Sequence, residues 1–166
     1  MKKISRGFSL IELLIVVAII LIIAAIAIPN LLRSRIAANQ ASAVGSLRTI
    51  NTAEITYAST YNTGYSTSLS ALGPASGGGN PTATAAGLVD SILAGTAGNT
   101  SSKSGYNFTY AAGGADSSGR INTYQLNASP ITIGTTGTNF YYTDESGVIR
   151  QNSTAAAGSS DSPLAG

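Results

Sequence analysis

Residues 13–28 are sixteen consecutive apolar residues, and with Glu12 included the block runs over nineteen, Leu10–Ile28. A helix rises about 1.5 Å per residue, so nineteen residues span about 28 Å, close to the hydrocarbon thickness of a bilayer. The seven residues ahead of the block, MKKISRG, contain Lys2, Lys3 and Arg6. Positive charge on that side holds the short leader in the cytoplasm and sends the rest of the chain outward. A secretory signal peptide has a shorter apolar region that ends in a small-residue cleavage site. Here the block runs through Pro29 into an amphipathic segment with no such break. A retained membrane helix fits better.

Glu12 interrupts the block near its start. A charged side chain at the centre of a membrane helix costs about 2.5–3.5 kcal/mol on insertion scales, and less near an end. The plain reading is that Glu12 reaches the interface and has no further role. The sharper reading uses Gly7. Cutting after Gly7 creates a new ammonium at Phe8, four residues before Glu12. Positions i and i+4 share a helix face, and the amino-terminal end of the helix dipole favours a carboxylate. The same carboxylate can instead meet the ammonium of a neighbouring subunit. In an otherwise apolar bundle an unpaired charge is penalised, so such pairing would set the axial register.

The run Gly7-Phe8-Ser9-Leu10-Ile11-Glu12-Leu13-Leu14-Ile15-Val16, followed by Pro29-Asn30, resembles the type IV pilin and type II secretion pseudopilin family. A basic leader ending in Gly, Phe next, an acidic residue four positions on and a Pro farther along the block all match that pattern. The match covers the first third of the chain; residues 31–61 agree more loosely, and the remainder is variable in the family. The resemblance implies cleavage after Gly7 by a membrane prepilin peptidase, N-methylation of Phe8 and a role for Glu12 in subunit assembly. It implies identical subunits in a helical homopolymer, served by inner-membrane pilus or secretion machinery. The precursor would be a single-pass protein of the bacterial inner membrane with its head outside the cytoplasm. After assembly it would lie in an extracellular or periplasmic filament.

Pro29 lacks an N–H and crowds the preceding turn, so a kink is expected there, with loop entry as the alternative. Helical patterning resumes beyond it. Leu32, Ile36, Ala43, Leu47, Ile50, Tyr57 and Tyr61 recur at steps of 3, 4 or 7, while Arg33, Arg35, Gln40, Arg48 and Asn51 fall largely elsewhere. Residues 8–61 thus read as one long helix, 8–29 for the membrane or filament core and 30–61 amphipathic. Tyr57, Tyr61 and Tyr65 repeat every four residues; packing explains them and no function is assigned.

After Tyr61 the composition changes: all of the 19 glycines except Gly7 and Gly45 lie there, among Ser, Thr, Asn and Ala. Gly73–Pro81 reads as a loop, and 86–94 as a short helix using Leu88, Ile92 and Leu93. Tyr106, Phe108 and Tyr110 alternate on one strand face, followed by Tyr124 and Leu126 and by short runs at 138–143 and 148–151. Turns are expected at Gly113–Gly119, at Ser129–Pro130 with Gly134–Gly137, and at Asp144–Gly147. The fold expected is α+β, a long helix packed on a meander of three or four antiparallel strands over 62–151, with a flexible low-complexity tail at 152–166.

The chain has no Cys and no His, which excludes disulfide frameworks, thiolate or His-ligated zinc, Cys nucleophiles and Ser-His-Asp triads. The formal charge is +2, but without the leader six basic residues face seven acidic ones. No basic stripe suited to phosphates is visible, so nucleic acid is not an expected partner. Calcium takes six to eight oxygen ligands; Asp116, Asp144 and Glu145 are the candidate carboxylates, but Asp116-Ser-Ser-Gly and Asp144-Glu-Ser-Gly also make ordinary capped turns. No metal and no cofactor are assigned. Lys103 lies between Ser102 and Ser104 in a solvated Gly/Ser loop, and Gly77–Gly79 lacks the Lys-Ser/Thr of a phosphate cradle. An enzyme is not expected. Many pilins staple the carboxy-terminal part with a disulfide and many pseudopilins do not, so the absence of Cys shifts some weight toward the latter. A pilus subunit leads; a secretion pseudopilin, a minor tip or adhesion subunit and a plain membrane anchor follow.

Overall fold

The computed structural model describes residues 8–96 and 98–164. The leader with Gly7, and residues 165–166 of the expected tail, lie outside the described residues. The chain divides into two compact units, Met1–Arg35 and Ile36–Gly166, and one helix, α1 (Leu10–Tyr61), contributes to both.

Within the first unit the helix continues through Pro29 instead of ending there. Pro29 removes the N–H that would reach the Ala25 carbonyl, but its fixed φ is helical and the following residues keep the pattern. The side chains along this stretch are exposed, from Leu10 at 81% to Ile28 at 65%.

The second unit is the head. Its sheet is a meander in strand order β1-β2-β3-β4-β5, with β1 at Thr100–Lys103, β2 at Tyr106–Ala112, β3 at Tyr124–Pro130, β4 at Phe140–Asp144 and β5 at Arg150–Asn152. All neighbours are antiparallel. In β2 the expected alternation is present: Tyr106, Phe108 and Tyr110 are buried while Asn107, Thr109 and Ala111 are exposed. The register sets Phe108 opposite Ala128 and Tyr110 opposite Leu126 on the buried inner face. Against that face α1 buries Ala43, Leu47, Ile50 and Tyr57, and Leu69, Leu72 and Leu93 complete the core. Burying side chains of this size contributes about 1.5–3 kcal/mol each. Leu32 does not join this stripe; it is 41% exposed.

Several expectations are corrected. The helix expected at 86–94 is a single turn, α2 (Ser91–Ala94), started by Asp90, whose carboxylate accepts from the N–H groups of Ile92 and Leu93. One turn can aim only part of its surface inward, so Leu93 is buried and Ile92 stays 62% exposed. Lys103 lies in β1, not in a loop, and its ammonium meets the Asp90 carboxylate at 2.8 Å. Ser129 and Pro130 close β3 and do not form a turn; the connection starts at Ile131. The sheet has five strands where three or four were expected. The last described residues, read from sequence as a mobile tail, return along β5: Gln151 N–H donates to the Ser162 carbonyl and Leu164 N–H to that of Ile149.

Candidate functional site

Of the described residues singled out in sequence, Phe8 and Glu12 lie at the start of α1 and Pro29 lies within it. Phe8 and Ser9 precede the helix, and Glu12 falls in its first turn. The Glu12 Oε2 accepts a hydrogen bond from the Ser9 backbone N–H at 2.9 Å, while the Ser9 carbonyl accepts from Leu13 N–H. This is the return half of a capping box, in which the third helical residue reaches back to the capping residue. The carboxylate thus stands beside the orphan donors of the helix start, where the dipole favours negative charge. Ser9 was missed in sequence, although Ser9-Leu-Ile-Glu12 has the Ser-x-x-Glu spacing that announces such a cap. Phe8 is 75% exposed, immediately outside the helix.

On either side of Glu12, Leu10, Leu13, Leu14 and Val17 line a concave apolar strip of about 280 Å³. The helix is long and apolar enough to cross a membrane, and none of its most apolar window is buried within the chain. Water is a poor solvent for such a surface, so lipid or further protein has to cover it.

The head holds a different kind of cluster. Glu54 is fully buried; its carboxylate accepts from Ser66 N–H at 2.8 Å and from Ser66 Oγ at 2.6 Å. Burial pushes the Glu54 pKa up, against the lowering effect of the Ser66 donors and the Tyr110 hydroxyl. Tyr110 Oη donates to the Ser66 carbonyl at 2.8 Å, and burial, followed by the Glu54 charge, raises the Tyr110 pKa. Alongside, Tyr124 Oη donates to Asn51 Oδ1 and Asn51 Nδ2 to Thr143 Oγ1. Asn51, placed by periodicity on the polar side of α1, is instead buried and satisfied by these partners. The network clamps the segment after α1 onto helix and sheet.

The surface carboxylates serve turns. Asp116 Oδ1 accepts from the N–H groups of Ser118 and Arg120 and from Ser118 Oγ, and Oδ2 accepts from Asn122. These donors, Ser118 Oγ first, hold its pKa far below the usual carboxylate range. Asp144 caps Ser146 in the same way, and the Glu145 carboxylate lies 3.4 Å from the Tyr124 N–H. Among the described residues no three acidic side chains converge as a metal site would require.

Residues 2–28 match the family described as the prokaryotic N-terminal methylation motif. The chain is 52% identical over 50 residues to the type IV major pilin protein PilA of Myxococcus xanthus, covering 30% of this chain and 23% of that protein. It is 66% identical over 35 residues to the type IV wide pilus major component PilA4 of Thermus thermophilus, covering 21% of this chain and 27% of that protein. The aligned stretches therefore span about a quarter of the length of these curated relatives. No solved structure matches the chain. Residues 2–28 carry the prokaryotic N-terminal methylation motif, and over the stretches aligned the chain is homologous to type IV pilins.

Proposed function

We propose that the chain is the structural subunit of a type IV pilus, built as a membrane-inserted precursor and polymerised through α1. The observation that carries this reading is the union, in one helix start, of the methylation motif, the capped Glu12 and an apolar surface left wholly uncovered by the chain itself. A prepilin peptidase cuts after Gly7, Phe8 becomes the N-methylated amino terminus, and residues 8–28 pack laterally with those of identical subunits. Packing those aliphatic side chains against one another and away from water supplies cohesion without direction. Direction comes from charge. An ionised carboxylate offers about four lone-pair sites, and the Ser9 N–H occupies one of them. The remainder can take the Phe8 ammonium, four residues back in the same chain or on a neighbour in the bundle, and fix the axial register. Pro29, with its missing hydrogen bond, loosens the helix where membrane-buried and head-bearing parts join. The precursor sits in the bacterial inner membrane with the head outside the cytoplasm. Both curated relatives are titled as major pilus components, which supports this reading over a secretion pseudopilin or a minor tip subunit.

The test is Glu12→Ala in cells, comparing processed subunit in the envelope with subunit sheared from the surface. Processing stays intact and sheared filament falls sharply if Glu12 sets the register. Wild-type filament yield from Glu12→Ala would remove that role.

A further inference from the structure

In the head, the outer face of α1 carries a groove of about 350 Å³ lined by Arg48, Thr49, Thr52, Ala53, Thr56 and Leu88. The three threonine hydroxyls donate to carbonyls four residues back, those of Gly45, Arg48 and Thr52. Satisfied within the helix, they leave their methyl groups as lining. The groove thus mixes polar lining with the apolar surface of Ala53 and Leu88, and Arg48 is its one cation. Arg48 is exposed, and among the described residues the one ion pair is Lys103–Asp90, so no described carboxylate pairs with that guanidinium.

A complementary feature stands beside the same helix. The β4–β5 turn presents Asp144 and an exposed Glu145, then Val148, 37% exposed. It is held ready-made: Gly147 N–H donates to the Asp144 carbonyl at 2.9 Å, and Asn51 Nδ2 lies 3.3 Å from the Gly147 carbonyl. Thr49 and Ala53 each lie two positions from Asn51, about 160° around the helix from it, whereas Arg48, three positions before Asn51, lies about 60° from it. The Thr49 and Ala53 side of the groove faces away from the chain's own turn, and Arg48 stands on the side nearer to it.

We infer that the groove of one copy receives the Asp144–Val148 turn of a second copy, with Glu145 and Asp144 against Arg48 and Val148 against Leu88, Ala53 and the threonine methyls. Charge complementarity selects the occupant: a carboxylate-bearing turn with an aliphatic neighbour answers an arginine set beside Ala53 and Leu88. Because the two patches differ, the contact is heterologous and can repeat from copy to copy, which is what a filament needs. The inference rests on the filament reading and adds a head-to-head contact to the packing of the apolar helices.

The chain has no cysteine, so the test has a clean background. Thr52→Cys and Val148→Cys are introduced singly and together, and intact cells are treated with a short bis-maleimide linker. Sheared surface material from the same cells reports filament assembly separately. The double variant should give a ladder of dimers, trimers and higher species, and each single variant only monomer. Adding Arg48→Glu or Glu145→Arg to the double variant should weaken the ladder, and adding both should restore it. Absence of the ladder while the subunit is present in sheared filaments would overturn the contact and leave the filament reading standing. Dimers from either single variant would show a symmetric contact and also overturn it. With neither ladder nor sheared subunit, both readings fall together.

Discussion

Replacing Glu54 tests whether the buried clamp holds the head together. Glu54→Ala removes two hydrogen bonds from Ser66 and leaves a void beneath the segment that follows α1. Hydrogen bonds to a charged group contribute about 1.5–3 kcal/mol each, and relief of the buried charge returns part of that sum. The expected net loss is about 2–4 kcal/mol, a large share of the 5–15 kcal/mol typical of a domain. Glu54→Gln keeps the shape but sets an amide N–H against one Ser66 donor, for a loss of about 1–3 kcal/mol. The pH dependence separates the causes. Burial raises the Glu54 pKa above its ordinary 4.5, so the folded chain binds more protons than the unfolded one between that value and the raised one. Wild-type stability from this group is therefore fully present below the ordinary value and is lost as pH rises through the raised pKa. Gln does not titrate, so the gap between wild type and Glu54→Gln should narrow as pH rises. The chain has 8 Tyr and no Trp, so thermal unfolding of the full chain in detergent can be followed by tyrosine near-UV dichroism between about pH 4 and pH 8. A gap that widens with pH would show that the Ser66 donors outweigh burial. Unchanged stability in Glu54→Ala would refute the clamp.

Gly7→Leu should leave the precursor uncut, visible as retention of the leader mass; efficient processing would remove the peptidase assignment. Gly64 has φ +80° and an added Cβ there would run into the Ile121 backbone, whose carbonyl also accepts from Tyr65 N–H at 2.8 Å. Gly64→Ala should lower head stability by about 1–3 kcal/mol in the same unfolding assay, and a neutral result would mean that this turn relaxes freely. Leu47 is fully buried, so Leu47→Ala should cost about 2–5 kcal/mol while leaving cleavage after Gly7 untouched.

The parts legible in sequence are those where one physical rule acts alone. The apolar run and its continuation past Pro29 specify α1, because lipid-scale hydrophobicity and a 3.6-residue period leave little choice. Tyr106, Phe108 and Tyr110 expose β2 through simple alternation. Strand β1 was invisible because Thr-Ser-Ser-Lys has no large apolar side chain; it exists because β2 offers it a ladder. Asn51 was misplaced, and Glu54 drew no reading at all, for a related reason. Periodicity sorts residues by hydrophobicity, whereas these two are buried through partners, Ser66, Thr143 and Tyr124, far away in sequence. Ser9 was legible and overlooked: the spacing to Glu12 states the cap, but attention fell on the charge that cleavage would create. The groove beside Arg48 depends on Leu88 arriving from another segment, which no local pattern encodes.

The most direct measurement of the polymer-subunit proposal is mass spectrometry of the amino terminus, made separately on sheared surface material and on the cell envelope. Abundant chain beginning at N-methylated Phe8 in the sheared fraction is the expected result. The same terminus confined to the envelope would point to a secretion pseudopilus, and an intact Met1–Gly7 leader in both fractions would contradict cleavage and assembly together, leaving a membrane anchor.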